Sequence, residues 1–320
     1  MAIFVSGGAG FVGANLIGRL LGQGAEVVVA DNFVRGARAN LGEFAAHPGF
    51  RLIEADLSRA DECRAAFDEA LSLGPVEEVW HLAANSDIPA GVADPEVDLK
   101  DTFMTTFEIV RQMRRTGAGR LMFASSSAVY GDHGETELRE DTGPLFPISN
   151  YGAMKLASEA QAAAAAEAFL SQVLIYRFPN VVGIPATHGV ILDFVRRLRD
   201  EPAVLRVLGD GTQRKPYLHV NDLIDAMFMA REQAKSGVRA YNIGPIDAGM
   251  TVRWIAEQVV ARVSPKARIE FGQGAKGWVG DVSRFRYSTA RMQDLGWRPA
   301  LGSEAALTRA IDEIATQEGM

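Results

Sequence analysis

The sequence predicts an α/β protein with a doubly wound parallel sheet, followed by a smaller region of mixed helices and strands. Short apolar β-prone segments alternate with amphipathic helical segments over residues 3–178. The first strand, at residues 3–6, leads into a glycine-rich turn and a helix, and a second strand follows at residues 26–30. Such a β–turn–α–β unit predicts a parallel, right-handed crossover. Beyond residue 178 the alternation loosens, which indicates a second domain.

The other predicted elements follow in order. Strands are expected at residues 50–56, 76–82, 120–124, 172–178 and 239–244, and helices at 15–21, 61–73, 99–116, 153–170 and 221–233. The C-terminal region is predicted to hold helices at 192–199, 251–263 and 303–314 and a strand at 203–208. We therefore expect one domain at residues 1–178 plus about 218–246, and another at 179–217 plus 247–320.

Composition narrows the class of protein. The chain has 320 residues, of which 48% are hydrophobic and 23% charged, as in ordinary globular proteins. A net charge of −7 argues against nucleic acid or an anionic membrane as partner. One cysteine, Cys63, excludes an intrachain disulfide framework and a cysteine-rich metal site. Without a secretory signal or a long apolar run, we expect a cytoplasmic protein with neither a membrane span nor a bound metal.

The glycine-rich turn is the first candidate binding feature. Gly7, Gly10 and Gly13 are spaced G-x-x-G-x-x-G between a strand and a helix, with Phe11 and Val12 at the start of that helix. Glycines there allow the backbone to approach a pyrophosphate at the helix N-terminus. The turn therefore predicts a dinucleotide site.

Asp31 bears on which dinucleotide is bound. It ends the second strand, where a carboxylate can accept a hydrogen bond from the 2′-hydroxyl of an adenosine ribose and would repel a 2′-phosphate. This favours NAD over NADP. Arg35 and Arg38 keep NADP open, because either could receive that phosphate.

Tyr151 and Lys155 form the candidate acid/base pair. They are four residues apart at the start of a helix, so both side chains lie on one face. A nearby ammonium lowers the pKa of a phenol from its usual value of about 10. Alone, the pair is more typical of a solvent-facing helix, but the glycine-rich turn in the same chain favours a catalytic role.

Seven motifs together carry a family resemblance over nearly the whole chain. They are Gly7-x-x-Gly10-x-x-Gly13, Asp31-Asn32, Asp56-Leu57, His81-Leu-Ala-Ala84, Ser125-Ser-Ser-Ala-Val-Tyr-Gly131, Tyr151-x-x-x-Lys155 and Arg177-x-x-Asn180. The chain resembles the extended short-chain dehydrogenases/reductases of the nucleotide-sugar epimerase/dehydratase group. This resemblance implies a Rossmann-type first domain that binds NAD and a C-terminal domain that binds a nucleotide sugar.

The resemblance also implies individual cofactor contacts. Asp56 would hydrogen-bond the adenine, Leu57 would pack on it, and Lys155 would bond the nicotinamide ribose and lower the pKa of Tyr151. His81 is more typical of a core histidine whose ring nitrogens are both hydrogen-bonded. The complete set expected to contact NAD is Gly7, Gly10, Phe11, Val12, Gly13, Asp31, Asn32, Asp56, Leu57, Leu82, Ala83, Ala84, Tyr151, Lys155 and Phe178.

The serine cluster suggests the reaction. By resemblance, Ser126 is the catalytic hydroxyl that bonds the reacting sugar hydroxyl, while Ser125 and Ser127 are either polar filler at a strand end or, for Ser127, a substrate contact. The 4,6-dehydratases of this resemblance carry an Asp-Glu pair where this chain has Ser127-Ala128. Alanine cannot transfer a proton, so elimination is disfavoured. Decarboxylases usually place a glutamate nearby, and Ala128 and Val129 offer none.

What remains is an NAD-dependent 4-epimerase that passes through a 4-keto sugar, with Ser126, Tyr151 and Lys155 as the catalytic residues. A UDP-hexose or UDP-uronate is favoured as substrate, and GDP- and CDP-sugars stay open. The alternatives are another nucleotide-sugar oxidoreductase, either a reductase/dehydrogenase or a decarboxylase, and a non-catalytic NAD-binding protein.

The substrate contacts follow the resemblance less closely. Asn180 would donate to a substrate phosphate, Lys215 stands where an arginine is usual, and Arg214 precedes it. Either cation could meet a diphosphate. Tyr217 would lie in the nucleotide-binding wall.

The segment Trp278-Val-Gly-Asp281 departs from the usual Arg-Pro-Gly-Asp. Trp278 either stacks on a base or sugar or is a core aromatic. Asp281 either accepts from a ribose hydroxyl or is a turn residue.

By resemblance, the helices at 99–116 and 153–170 would form a homodimer through a four-helix interface. Ala157, Ala160 and Ala164 would then allow close approach. The alternative is that these alanines pack on the chain's own sheet.

Overall fold

The computed structural model of the protein describes residues 2–134, 136–274 and 286–320. The chain divides into two compact units. Unit 1 comprises Met1–Gly131, Gly143–Arg177 and Met227–Tyr241, and unit 2 comprises Asp132–Thr142, Phe178–Ala226 and Asn242–Met320. Among the described residues, no helix is both apolar enough and long enough to cross a bilayer.

The strands and helices have the following bounds. The strands are β1 (Ala2–Ser6), β2 (Glu26–Asp31), β3 (Phe50–Glu54), β4 (Val76–His81), β5 (Arg120–Ser126), β6 (Glu137–Leu138), β7 (Gln172–Phe178), β8 (Asn180–Val182), β9 (Val204–Val207), β10 (Arg214–Lys215), β11 (Tyr217–His219), β12 (Gly237–Asn242), β13 (Met250–Thr251), β14 (Arg268–Phe271) and β15 (Arg286–Tyr287). The helices are α1 (Phe11–Gly22), α2 (Ala60–Leu73), α3 (Ile88–Ala93), α4 (Pro95–Asp98), α5 (Thr105–Thr116), α6 (Asn150–Ala168), α7 (Val190–Asp200), α8 (Val220–Gln233), α9 (Val252–Val263), α10 (Ala290–Asp294) and α11 (Ser303–Gln317).

The central sheet confirms the predicted doubly wound topology. Within the described residues it has seven strands in the order β12-β7-β5-β4-β1-β2-β3. The neighbouring pairs from β3 to β5 are parallel, with Phe4 opposite Val28 on one side and Val79 on the other. Strands β1, β2, β4 and β5 are almost continuously buried, as expected for a sheet covered by helices on both faces. The last predicted strand does return to the sheet, as β12 beside β7.

Unit 2 is the smaller, mixed α/β region that the sequence predicts. Its short strands form two-stranded pairs: β8 with β11, β9 with β14, β6 with β15, and the antiparallel pair β10 with β13. Its core lies among α7, α9 and α11, whose buried residues form one apolar cluster. The parallel sheet of unit 1 and the mixed α/β structure of unit 2 therefore match the predicted fold class.

Two local features differ from the predicted elements. The predicted helix at 99–116 is α5 preceded by a π-helical turn, Leu99–Met104, which follows α4. Helix α3 was not expected; the Asp87 carboxylate caps it by accepting from the Ala90 amide. Short helices of this kind depend on capping rather than on a hydrophobic period, so the sequence pattern does not reveal them.

The alanines of α6 divide into two groups. Ala162 and Ala165 are buried and belong to the core of unit 1, whereas Ala160 and Ala164 are exposed. Packing on the chain's own sheet therefore does not account for Ala160 and Ala164.

A buried polar network joins α6 to the sheet. Arg177, on β7, donates from Nε and Nη2 to the two carboxylate oxygens of Glu159, on α6, at 2.9 and 2.6 Å. The Ser125 hydroxyl on β5 donates to the same carboxylate at 2.5 Å, and Arg177 Nη1 donates to the hydroxyl of Tyr130 at 3.0 Å. Because α6 and β5 carry the predicted catalytic residues, the network sets how these two elements approach each other.

We expect Arg177→Met to lower the free energy of unfolding by about 3–5 kcal/mol, because it leaves the Glu159 carboxylate buried without its cation. Chemical denaturation measures the change. Arg115→Met is the control: Arg115 pairs with Asp68 in the same unit, but both side chains are partly exposed, so the change should be much smaller. Equal losses in the two variants would contradict the importance of the network.

Candidate active site

The predicted site residues of unit 1 gather at one edge of the sheet. Gly7, Asp31, Leu82 and Ser126 lie at or directly after the carboxyl ends of β1, β2, β4 and β5. Ligands of open parallel sheets bind at this edge. The Gly7–Gly13 turn lies where the strand order reverses between β1 and β4, since β2 and β3 lie on the other side of β1.

The glycine-rich turn is closely packed. A Cβ on Gly7 would lie 2.6 Å from the backbone nitrogen of Ala83, and one on Gly13 would lie 2.5 Å from the Gly7 carbonyl oxygen. Gly7 also has a φ of +70°, which disfavours any side chain. Helix α1 begins with no side-chain cap on its first amides and no acidic residue in its first turn. Its N-terminus therefore suits an anion such as a pyrophosphate.

Asp31 fixes the two turns beside this helix. Its carboxylate accepts from the Ala9 amide at 2.9 Å and from the Phe33 amide at 2.8 Å. Burial raises its pKa, while these two hydrogen bonds lower it. Each oxygen keeps a further lone pair, so the predicted bond from a ribose hydroxyl stays a prediction.

Arg35 and Arg38, which could have bound the 2′-phosphate of NADP, are each paired with a carboxylate of the protein. Arg35 Nη1 lies 3.2 Å from the Asp87 carboxylate, and Arg38 pairs with Glu54 and covers the ring of Phe33. Neither cation needs a phosphate as counter-charge. The arrangement favours NAD.

The adenine-side residues are also held by the protein. Asp56 accepts from the Ser58 hydroxyl at 2.6 Å and pairs with the Lys100 ammonium at 3.0 Å. Burial raises the pKa of Asp56, but these contacts lower it by more, so the pKa is below its usual value. The Leu57 side chain is buried in the core of unit 1. Asn32 accepts from the Val34 amide at 3.1 Å. The predicted cofactor contacts of these residues stay predictions.

His81 is a core histidine, as predicted from the sequence. Thr106 donates its hydroxyl to the Thr102 carbonyl, so it accepts from Nε2 of His81 at 2.9 Å. Nδ1 then accepts from the Ser6 hydroxyl at 2.7 Å, and Ser6 Oγ accepts from the amides of Leu82 and Ala83. Burial, with the charge of Lys155, holds the pKa of His81 well below its usual value. Neutral His81 thus fixes the loop of Leu82, Ala83 and Ala84, which is partly exposed beside Gly7.

Ser126 and Tyr151 are brought together by the start of α6. The Ser126 hydroxyl acts on the pKa of the Tyr151 phenol, which burial raises and this hydroxyl lowers. The Ser126 hydroxyl accepts from the Ala128 amide, and Ser149 caps α6 by accepting from Gly152. A Cβ on Gly152 would lie 2.5 Å from the Ala128 carbonyl oxygen. Only glycine therefore allows the first turn of α6 to pack directly on the turn that holds Ser126.

Lys155 is almost completely buried, with 2% of the residue exposed. Its ammonium donates to the Ala124 carbonyl at 2.7 Å and lies 4.8 Å from the centre of the Phe123 ring and 5.9 Å from that of Tyr151. Burial lowers its pKa to about 7, against the charges of Glu159 and Asp98.

The predicted lowering of the Tyr151 pKa is not what this structure gives. Burial raises that pKa to about 12; the hydrogen bond with Ser126 lowers it, and the charge of Asp98 raises it further. The desolvation of the phenol outweighs the neighbouring ammonium, which the sequence spacing could not indicate.

The predicted substrate residues of unit 2 lie on its short strands. Asn180 on β8 donates to the Pro216 carbonyl at 3.3 Å and stands opposite Tyr217 on β11. Arg214 is exposed on β10 and donates to the Gly249 carbonyl at 2.7 Å, and Lys215 beside it is partly exposed. Tyr217 is 4% exposed and belongs to the core, so in this structure it has a packing role. Nucleotide-sugar contacts of these residues stay predictions.

The last four predicted site residues are Trp278, Asp281, Phe178 and Ser127. Trp278 and Asp281 lie outside the described residues, so their alternatives stay open. Phe178 ends β7 and is partly buried. Ser127, which follows Ser126, is partly buried at the start of a 3₁₀ turn, Ser127–Val129.

No group of three or more potential metal ligands of the His, Cys, Asp or Glu type occurs within residues 2–134, 136–274 and 286–320. For a dinucleotide, the residues fit. The closely packed glycines have no space for side chains, so a ligand could approach the backbone of the turn directly. The first amides of α1 have no side-chain cap. Asp31 ends β2. The fold and this site define a dinucleotide-binding enzyme of the extended short-chain dehydrogenase/reductase type.

Comparison with known proteins gives the family. The profile of the "NAD dependent epimerase/dehydratase family" matches residues 3–244. The chain belongs to this family, and its cofactor is NAD.

Three relatives illustrate the range of the family. The chain is 30% identical to a UDP-glucose 4-epimerase of Corynebacterium glutamicum, over 93% of this chain and 91% of that one. It is 28% identical to UDP-glucuronic acid decarboxylase 1 of Arabidopsis thaliana, over 98% of this chain and 70% of that protein. The crystal structure of the Thermus thermophilus UDP-glucose 4-epimerase in complex with NAD is similar with a TM-score of 0.84 and 29% identity, covering 98% and 99% of the two chains.

Sequence reasoning did not identify Glu159 and Asp98 as parts of the site. Glu159 continues the four-residue spacing of Tyr151 and Lys155, and that spacing could have indicated it. Asp98 stands in a polar stretch without a motif, and only the folded structure relates it to Lys155. Ser125, which was expected to be polar filler at the end of a strand, donates a hydrogen bond to the Glu159 carboxylate.

We expect Lys155→Met to raise the free energy of unfolding at pH 6 by about 1 kcal/mol, because it removes the cost of burying a charge. Below pH 7 the lysine is charged in both the folded and the unfolded state, and this cost is complete. Between about 7 and 10.5 the folded state releases the proton first, so the stability of the unsubstituted protein rises by up to about 1.4 kcal/mol per pH unit, and its difference from the variant vanishes at about pH 8 and then reverses. Denaturation at pH 6, 8 and 9 measures this, with the exposed Lys235→Met as control. A difference independent of pH would contradict the buried charge.

Proposed function

We propose that the protein is an NAD-dependent nucleotide-sugar 4-epimerase, with a UDP-hexose or UDP-uronate as substrate. One observation carries the proposal: Lys155 is buried beside Tyr151, whose phenol interacts with the Ser126 hydroxyl, at the same sheet edge as the glycine-rich turn. We further expect a cytoplasmic homodimer.

The chain's own residues would move the proton of the sugar 4-hydroxyl. Tyr151 takes this proton as the C4–H bond breaks, and Ser126 keeps the hydroxyl within reach by a hydrogen bond. NAD, when bound, accepts the hydride from C4 and returns it. After the 4-keto sugar turns its other face to the cofactor, Tyr151 gives the proton back. A positioned acid/base of this kind contributes about 10²–10⁴-fold in rate.

Lys155 would assist Tyr151 electrostatically. Its ammonium is fixed by the Ala124 carbonyl and lies over the Tyr151 ring, so it stabilises phenolate when the phenol gives up its proton. The phenol of the resting protein is neutral, since its pKa is raised to about 12. Tyr151 therefore releases this proton to solvent before it accepts the proton of the sugar hydroxyl, and the ammonium of Lys155 stabilises the phenolate between the two steps.

The turn after Ser126 argues against elimination and decarboxylation. It presents Ser127, Ala128 and Val129, none of which has a carboxyl group. The Ala128 backbone is moreover in close contact with Gly152. The similarity to a UDP-glucuronic acid decarboxylase nevertheless keeps decarboxylation as the second candidate.

The nucleotide diphosphate would be bound by residues of unit 2. Asn180 offers an amide donor, and Lys215 and Arg214 offer positive charge, with Arg214 the more exposed of the two. Phosphate recognition by Lys215 and Arg214 is favourable because both partners are charged.

The direct test is incubation of the purified protein and NAD with UDP-glucose, UDP-galactose and UDP-glucuronate. The expected result is a C4 epimer without net formation of NADH, identified by NMR of the product. Release of CO₂ from UDP-glucuronate would support the decarboxylase, and net NADH would support a dehydrogenase. If neither these nor GDP- and CDP-sugars give an epimer, the proposal is wrong.

We expect Tyr151→Phe to lower kcat by at least about 10²-fold while NAD binding is retained, since the ring stays and only the proton-carrying hydroxyl is lost. Steady-state kinetics and a fluorescence titration with NAD measure the two effects. Tyr287→Phe, at a partly buried tyrosine of unit 2, is the control. Unchanged turnover in Tyr151→Phe would exclude this mechanism.

We expect a dimer in which the exposed Ala164 of α6 faces the other subunit. Ala164→Arg places a long charged side chain there and should give a monomer. Multi-angle light scattering should find twice the mass of one chain for the unsubstituted protein. Ala65→Arg, at an exposed alanine of α2, controls for the charge alone. A dimer that survives Ala164→Arg would rule out this interface.

A further inference from the structure

Asp98 is a fully buried carboxylate at the end of α4, where the π-helical turn begins. None of its surface is exposed. Its Oδ1 accepts from the Asn85 side-chain amide at 2.9 Å. π-Helical turns are frequent at functional sites.

The second oxygen of Asp98 has no hydrogen-bond partner within the described residues. It lies against Gly91, where a Cβ would be 1.8 Å away. A buried carboxylate oxygen without a donor is costly, and such groups persist where a nearby charge compensates them. The compensating cation is Lys155, which interacts electrostatically with Asp98.

A series of hydrogen bonds also connects Asp98 to the start of α6, which carries Tyr151 and Lys155. Asn85, which bonds Asp98, donates to the Asp87 carbonyl and accepts from the Asp87 amide, and Asp87 caps α3. The Gly91 carbonyl of α3 in turn accepts from the side chain of Asn150 at 2.8 Å. Asn150 immediately precedes Tyr151. The buried carboxylate, α3 and the first turn of α6 are therefore one connected arrangement.

We propose that Asp98 is a positioning residue of the active site, whose buried carboxylate orders α3 against the start of α6 and whose negative charge keeps Lys155 in its ammonium form. As a statement about catalysis, this inference rests on the proposed function. Lys155 is the group through which Asp98 acts, because the ammonium is what stabilises phenolate at Tyr151.

Several other groups act on the same residues. Asp101, on the π-helical turn, faces Asp98 and repels its charge, while Lys155 and Tyr151 face it from α6. Glu159 acts on Lys155 from the next turn of α6, with a larger effect than Asp98, and it also pairs with Arg177. His81 is neutral and contributes no charge. Asp98 is thus the second anion whose charge acts on Lys155.

The test is Asp98→Asn, which keeps the shape of the side chain and an acceptor for Asn85 but removes the charge. The pH titration of Lys155 is followed by NMR in the full-length chain labelled with ¹³Cε-lysine, its signal being assigned by its absence in Lys155→Met. We expect the midpoint of Lys155 to fall by about one pH unit in Asp98→Asn. Asp101→Asn, the nearest other acid on the same segment, should leave the midpoint unchanged.

Activity gives the second readout. The pH profile of kcat for epimerisation should move to lower pH by the same amount in Asp98→Asn, whereas a merely structural loss would lower kcat equally at every pH. If the variant does not fold, Asp98→Ser removes the charge without adding volume. An unchanged Lys155 midpoint overturns the inference even if the enzyme is an epimerase. A shifted midpoint in a protein that converts no nucleotide sugar supports Asp98 and refutes the proposed function.

Discussion

The guanidinium of Arg177 donates two hydrogen bonds to the buried carboxylate of Glu159, and this pair joins β7 to the helix that carries Tyr151 and Lys155. The Ser125 hydroxyl brings β5 to the same carboxylate, one residue before Ser126. The three proposed catalytic side chains therefore take their relative positions from one desolvated ion pair. Such a pair contributes little net stability over apolar packing, but its directional bonds fix a single arrangement.

Backbone contacts set the remaining distances of the site. Gly7 touches the backbone of Ala83, and Gly152 touches that of Ala128, each at a separation that a single methyl group would prevent. The first contact closes the cofactor turn on the loop after β4, and the second brings α6 onto the serine turn. Backbone-to-backbone packing of this kind leaves no freedom for side-chain rearrangement, which suits a site that must hold reacting atoms at fixed distances.

The sequence was sufficient for the fold and for the motifs, because both depend on local patterns. Strand and helix periods predicted the sheet and its returning last strand, and the G-x-x-G-x-x-G spacing located the cofactor turn. What it could not provide were pairings between distant residues. The bond between Glu159 and Arg177, and the influence of Asp98 on Lys155, depend on which side chains the fold buries together. The elevated pKa of Tyr151 has the same origin, since desolvation is a property of the folded chain.

The hydrogen-bonded chain through His81 has a consequence for how acidity affects the enzyme. The imidazole accepts from Ser6 and donates to Thr106, and it stays neutral because protonation would break one of these bonds inside the core. The loop that it supports beside the cofactor turn is therefore indifferent to mild acidification. Lys155, in contrast, changes charge near neutrality. A change of pH around neutrality therefore acts on the charge of Lys155 and leaves the hydrogen bonds of His81 intact.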